Sequence, residues 1–173
     1  MAIFHQHAFD FAMNPPPPHG TELAVHFSPI PLQEFGLNLP VEISTATIFR
    51  NPPLSVPLSS IAVTAHFDTG ASVTAIDIGL ADHLNLHAIG QSEISTAAGK
   101  QIMPNFAIDI NFLNTRLSPY YNLRVGSCRL GFDLEDNANL PRPHNMGILI
   151  GRDIMSKWNI IWNGTTSTVF ISD

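Results

Sequence analysis

Ile61-Ala62-Val63-Thr64-Ala65-His66-Phe67-Asp68-Thr69-Gly70-Ala71-Ser72 is the stretch on which the fold of this chain turns. Its first part alternates. Ile61, Val63, Ala65 and Phe67 fall on one face of an extended strand, and Ala62, Thr64, His66 and Asp68 fall on the other. The strand therefore delivers Asp68 at its end, on the less apolar face. Gly70 then lets the backbone turn tightly and brings its own N–H toward the carboxylate. Asp68 is a placed acid rather than a scattered surface charge, and His66, on the same side, reads as an exposed strand residue or as a charge that perturbs the surroundings of Asp68.

The pattern around this strand is also β. Val41 to Phe49 is rich in β-branched residues and alternates in part, and a Pro-punctuated loop from Asn51 to Pro57 follows it. Ile76, Leu80 and Leu84 give Ala75 to Leu86 a helical spacing before the turn-like Asn85. Glu93 to Ala97 and Gln101 to Met103 read as two extended pieces around the Ala98-Gly99-Lys100 turn. Phe106 to Phe112 and Tyr121 to Leu130 read as strands, with room for an additional hairpin over Asn114 to Leu130. Asp133 to Pro143 is a polar loop. Met146 to Gly151 is a buried strand, and Arg152 to Trp158 fits about two helical turns. Asn163-Gly164, between Trp158 to Trp162 and Thr166 to Ile171, predicts a type I′ hairpin.

The bulk numbers bound the rest. A chain of 173 residues with 45% apolar content fits one domain with one core, here 21–173, preceded by a flexible Pro-rich tail over 1–20 that contains Pro15-Pro16-Pro17-Pro18. Charged residues are 13%, against roughly 25% in an average globular protein, which leaves surface to bury against a partner. The net charge of −6 and the scattering of eight basic residues argue against nucleic acid. Cys128 is the single cysteine, so no intrachain disulfide forms, and it reads as a small core hydrophobe. No apolar run suits a membrane span, and the first ten residues lack a secretory pattern, so a cytoplasmic, membrane-free protein is expected. No zinc spacing or calcium loop is present, and no metal or other cofactor is expected.

Three segments together resemble the retropepsin-like aspartic proteases, the single-domain, retroviral-type relatives of pepsin. Asp68-Thr69-Gly70-Ala71 matches the catalytic loop. Thr96-Ala97-Ala98-Gly99 matches the turn of the flap hairpin, which starts 27 residues after Asp68 if counted to Ser95. Ile148-Leu149-Ile150-Gly151-Arg152-Asp153, starting 80 residues after Asp68, matches the apolar-apolar-Gly-Arg segment behind the catalytic loop. Ser72 departs from the family's retroviral members, which often carry an acid there to pair with the arginine, so Arg152 needs another partner.

The resemblance implies an all-β, retropepsin-like acid-protease fold: a closed β-barrel lobe with a flap hairpin and one or two short helices, working as a homodimer. It implies an aspartic endopeptidase acting on a peptide or protein substrate. Asp68 is the catalytic group, organised by Thr69 and Gly70. Ala71, Ser72, Thr96, Ala97, Ala98, Gly99 and Ile150 face substrate, and Gly151 and Arg152 give structural support. Because Asp-Thr-Gly occurs once, the second carboxylate comes from a second copy of the chain. Two carboxylates about 3 Å apart share one proton, and with Ala71 rather than a hydroxyl residue beside them, activity is expected in weakly acidic conditions. Asp77, Asp109 and Asp153 have no Thr-Gly after them and read as solvated acids or helix caps. The alternative is a catalytically silent module of the same fold that binds peptide or dimerises.

Overall fold

The computed structural model describes residues 4–7, 36–49, 59–96, 99–132, 146–163 and 168–173. Within them the chain runs β1 (Phe4–His7), β2 (Asn38–Thr45), a 3-10 turn (Thr47–Phe49), β3 (Ser60–Phe67), β4 (Ala75–Asp77) and α1 (Ile78–His83). There follow β5 (Gly90–Thr96), β6 (Gly99–Phe112), β7 (Tyr120–Cys128), β8 (Met146–Ile150), α2 (Arg152–Met155), β9 (Asn159–Asn163) and β10 (Thr168–Ser172).

Six strands close on themselves. The order is β2-β3-β8-β4-β7-β6, and β6 pairs back onto β2, so this ring has no open edge. The closed barrel lobe with short helices is therefore present. β3 and β8 run parallel, as do β4 and β7, and the other neighbours in the ring are antiparallel. Inside sit Leu39, Val41, Ile43, Ala65, Ile76, Ile108, Ile110, Ile148 and Ile150, each fully or almost fully buried. Burying each of the larger ones contributes about 1.5–3 kcal/mol, so the ring is held by its inward aliphatics. The alternation along β3 is as the sequence predicts: Val63, Ala65 and Phe67 are buried, and the residues between them are less so.

A second sheet, β1-β10-β9, lies at the chain's two described ends. Phe4–His7 aside, the Pro-rich tail lies outside the described residues, as do the loops at 51–57 and 133–143. Trp158 joins the sheet's start to the barrel, packing edge-on to Phe112 at 5.1 Å between ring centroids and tilted on Phe67 at 5.9 Å.

Several elements differ from the sequence reading, each for a physical reason. Ala75–Asp77 is a strand between β7 and β8, and Asp77 then caps a helix shorter than expected, accepting from the N–H groups of Gly79 and Leu80. Residues 99–112 form one continuous strand, whose first half pairs with β5 and whose second half joins the barrel. β7 is a barrel strand rather than part of an extra hairpin. β2 begins earlier, at Asn38, and gives way to the 3-10 turn after Thr45. The helix after Gly151 is a single turn. β9 and β10 pair antiparallel, Asn163 with Thr168, and the expected type I′ turn falls on residues 164–167, outside the described residues.

Asp109 is also corrected. It is 5% exposed, at an irregularity of the β6–β7 ladder, and its carboxylate accepts from Asn122 N–H at 2.7 Å and from the backbone and hydroxyl of Thr47. It replaces ladder hydrogen bonds that the irregularity breaks. Cys128 is half-buried, and burial pushes its thiol up to about 11, which keeps it protonated.

Gly147 on β8 shows how tightly the barrel closes over α1. A Cβ there would lie 2.7 Å from Leu80 Cδ2 and 2.8 Å from Val63 Cβ. Gly147→Ala is expected to lower unfolding free energy by about 1–3 kcal/mol, read from the urea midpoint. An unchanged midpoint would show that β8 has slack against β3.

Candidate active site

The parallel pairing of β3 with β8 decides where the site forms. Phe67 pairs with Ile150, so both strands end side by side and point the same way. β4 returns on the other side of β8, pairing Ala75 with Leu149. The connection 68–74 must therefore arch over the end of β8. At the crossing the chain has Gly151, where a Cβ would sit 2.5 Å from the carbonyl carbon of Val73 and 2.8 Å from Thr74 N. No side chain fits there.

The arch is fastened along its length. Asp68 N–H donates to Ile150 C=O at 3.1 Å, and Arg152 N–H donates to Ala71 C=O at 3.0 Å. Arg152 Nη1 donates to the carbonyls of Thr69 at 2.6 Å and Gly70 at 3.3 Å. These carbonyls are the partner that Ser72 does not supply, and one guanidinium nitrogen, with two N–H groups, reaches both adjacent acceptors. At the far end, Asp153 accepts from both the N–H and the hydroxyl of Thr74. Asp153 is thus turned inward onto the arch, not solvated.

Within this frame Asp68 is half-buried. Its Oδ1 accepts Gly70 N–H at 2.7 Å, the contact the glycine was expected to make, and Ala71 N–H closes the turn onto Asp68 C=O at 3.1 Å. Its other oxygen takes no hydrogen bond among the described residues. Three other acids of the chain differ from it. Asp77 Oδ2 accepts from Leu130, Gly131 and Phe132 while its Oδ1 caps α1, and Asp109 and Asp153 are likewise taken up by donors. Three acids support the fold, and one holds out an oxygen.

The other expected site residues separate into groups. Thr69, Gly70 and Ser72 are exposed and Ala71 half-exposed, on the arch beside Asp68. Gly99, at φ +108°, has the left-handed backbone that the turn between β5 and β6 was expected to require. Ala97 and Ala98, and the side chain of Thr96, lie outside what is described. Ile150 is a correction: its side chain is 0% exposed in the barrel core, so it faces no substrate, and it serves the site through its carbonyl. Thr74 was missed. Its hydroxyl within the apolar run Val73 to Ile76 was the available signal, since a buried hydroxyl needs partners.

His66 is also corrected. It is half-buried rather than exposed, with Nδ1 at 3.0 Å from Asn38 Oδ1 and Gly36 close above its ring. Asn38 Nδ2 donates to Gly36 C=O, which leaves Asn38 Oδ1 to accept from Nδ1–H. Burial lowers the His66 pKa, against the opposing pull of Asp68, so the neutral ring is favoured.

No protein-family model matches the chain, and no curated protein matches it in sequence. Solved structures do resemble it. A foamy-virus protease–reverse transcriptase in complex with an RNA/DNA hybrid is 14% identical with a TM-score of 0.40, over 71% of this chain, which spans 12% of that one. The simian foamy virus (mac) protease is 14% identical, TM-score 0.35, over 68% of this chain and 89% of that chain. A retropepsin-like aspartic protease from Rickettsia conorii is 10% identical, TM-score 0.41, over 78% and 88%. All three are described as proteases. Among the described residues no helix is long and apolar enough to cross a membrane.

The His66 environment sets a pH dependence of stability. Its folded pKa lies below the ordinary 6.5, so between the two values the unfolded chain binds more protons and stability rises with pH. This contribution is complete above 6.5 and is lost as pH falls through the folded value. Denaturant unfolding at pH 7.5, 6 and 5 is expected to show wild type losing more stability on acidification than His66→Gln. Equal losses would mean that the ring is not held neutral.

Proposed function

We propose that this chain is a retropepsin-like aspartic endopeptidase, active as a homodimer, in which Asp68 from each copy forms the catalytic pair. The observation that supports this most directly is the state of Asp68. It follows β3 on an arch fixed at both ends, yet keeps one oxygen unengaged among the described residues, whereas Asp77, Asp109 and Asp153 are each consumed by the fold.

One such carboxylate cannot do the chemistry alone. Peptide hydrolysis by this route needs a base to take a proton from water and an acid to polarise the scissile carbonyl. Two like carboxylates close together perform both roles, because one stays protonated beside its ionised partner. A twofold axis through the arch provides the second Asp68. The exposed Thr69 hydroxyl would then bond across that axis. The β5–β6 hairpin would close as a flap, with exposed Ile102 contributing apolar surface toward the substrate. No metal or other cofactor is needed for these steps.

Digestion of a peptide library at weakly acidic pH tests the reading. Asp68→Asn is expected to reduce cleavage at least about a hundredfold while leaving the thermal midpoint close to wild type. Identical products from wild type and variant would falsify the enzyme reading in favour of a silent binding module. Co-refolding equal amounts of wild type and Asp68→Asn tests the pair. Activity per wild-type chain is expected to fall to about half, since half the wild-type chains then sit in mixed dimers. No fall would place the whole site within one chain.

A further inference from the structure

We infer that Asp153, acting through Thr74, is a positioning residue for Asp68, a role that rests on reading Asp68 as the catalytic carboxylate. Thr74 is fully buried, and its polar groups tie it to two segments, β7 through its carbonyl and 151–153 through its N–H and hydroxyl. Its carbonyl accepts Gly126 N–H at 3.0 Å from β7. Its hydroxyl accepts Gly151 N–H at 3.1 Å from the end of β8. Since Gly151 fills the acceptor side of that oxygen, the hydroxyl proton points to Asp153 Oδ1 at 2.8 Å. Thr74 N–H lies 3.0 Å from both Asp153 oxygens.

The direction of this chain explains why the residue is an acid. Every group that reaches Asp153 is a donor: the N–H and O–H of Thr74, and the N–H of Ile154 at 3.0 Å. A carboxylate only accepts, so it meets all of them. An amide would turn its own N–H toward one. With Asp68 N–H on Ile150, Arg152 N–H on Ala71 and Arg152 Nη1 on the carbonyls of Thr69 and Gly70, the arch is held from 68 to 71 and again at 74. Ser72 and Val73, between the last two anchors, are exposed and contribute no core. Release of the Thr74 anchor therefore loosens the segment that sets the Asp68 carboxylate, without touching a substrate.

The test uses the full chain, with Thr74→Val, which deletes the hydroxyl, Thr74→Ser, which keeps it, and Asp153→Asn. On a peptide chosen from the library digest, Thr74→Val and Asp153→Asn are expected to lower kcat by at least about tenfold with KM within about twofold, because geometry rather than binding is lost. Thr74→Ser is expected to stay within about threefold of wild-type kcat. By NMR, amide exchange at Gly70 and Ala71 should quicken about tenfold in Thr74→Val but not in Thr74→Ser, while Val63 and Ile110 stay unchanged. Wild-type kcat in Thr74→Val, an equal fall in Thr74→Ser, or faster exchange across the whole barrel would overturn the inference. If Asp153→Asn does not fold, the two Thr74 variants decide. If wild type cleaves no peptide, the protease reading fails by itself, and exchange at Gly70 and Ala71 still decides whether the anchor holds the Asp68 turn.

Discussion

A backbone that must pass over another backbone governs this molecule. β3 and β4 lie on either side of β8, so the seven residues between them cross its end, and only a glycine at 151 leaves room. The crossing brings the peptide groups of 68–74 against those of 150–153. Hydrogen bonds, not apolar contacts, then define the arch, which is why its exposed residues can be polar or small while its shape remains fixed.

Charge is used sparingly to finish this arrangement. Arg152, a cation, gathers carbonyl oxygens at the front of the arch, and its sequence neighbour Asp153, an anion, gathers N–H and O–H groups at the back. Adjacent residues of opposite sign thus match the opposite polarity of two parts of one loop. Asp77 and Asp109 repeat the idea elsewhere, each serving as an acceptor where the local backbone supplies too few. The low content of charged residues is consistent with this: several of those present are structural.

Much of this was legible in the sequence where the signal is local. The alternation from Ile61 to Phe67 gave the buried face of β3, Gly70 gave the tight turn, and Asn85 and Gly99 marked positive φ. What escaped depends on partners remote in the chain. Ala75–Asp77 is too short for a period of two to register, and the spacing of Ile76, Leu80 and Leu84 fits a helix although only part of it is one. Asp109 and Asp153 look like surface acids until Thr47 and Thr74, 62 and 79 residues away, are brought beside them. Ile150 was placed facing the site because its neighbours are there, but a strand's alternation turns it into the core.

The 83 positions that separate Arg152 from Thr69 also set an order of events. A chain emerging from the ribosome can pair β3 with β2 early, but the fastenings of 68–74 to 150–153 wait until that later segment is made. Local hairpins such as β5–β6 close quickly, whereas the parallel β3–β8 pairing waits for a long intervening segment to be made and collapsed. Until then Asp68 follows a strand paired on one side only, on a connection whose later partners have yet to fix it. Under the function proposed above, the arch that would present Asp68 to a substrate is complete only once residues 150–153 arrive.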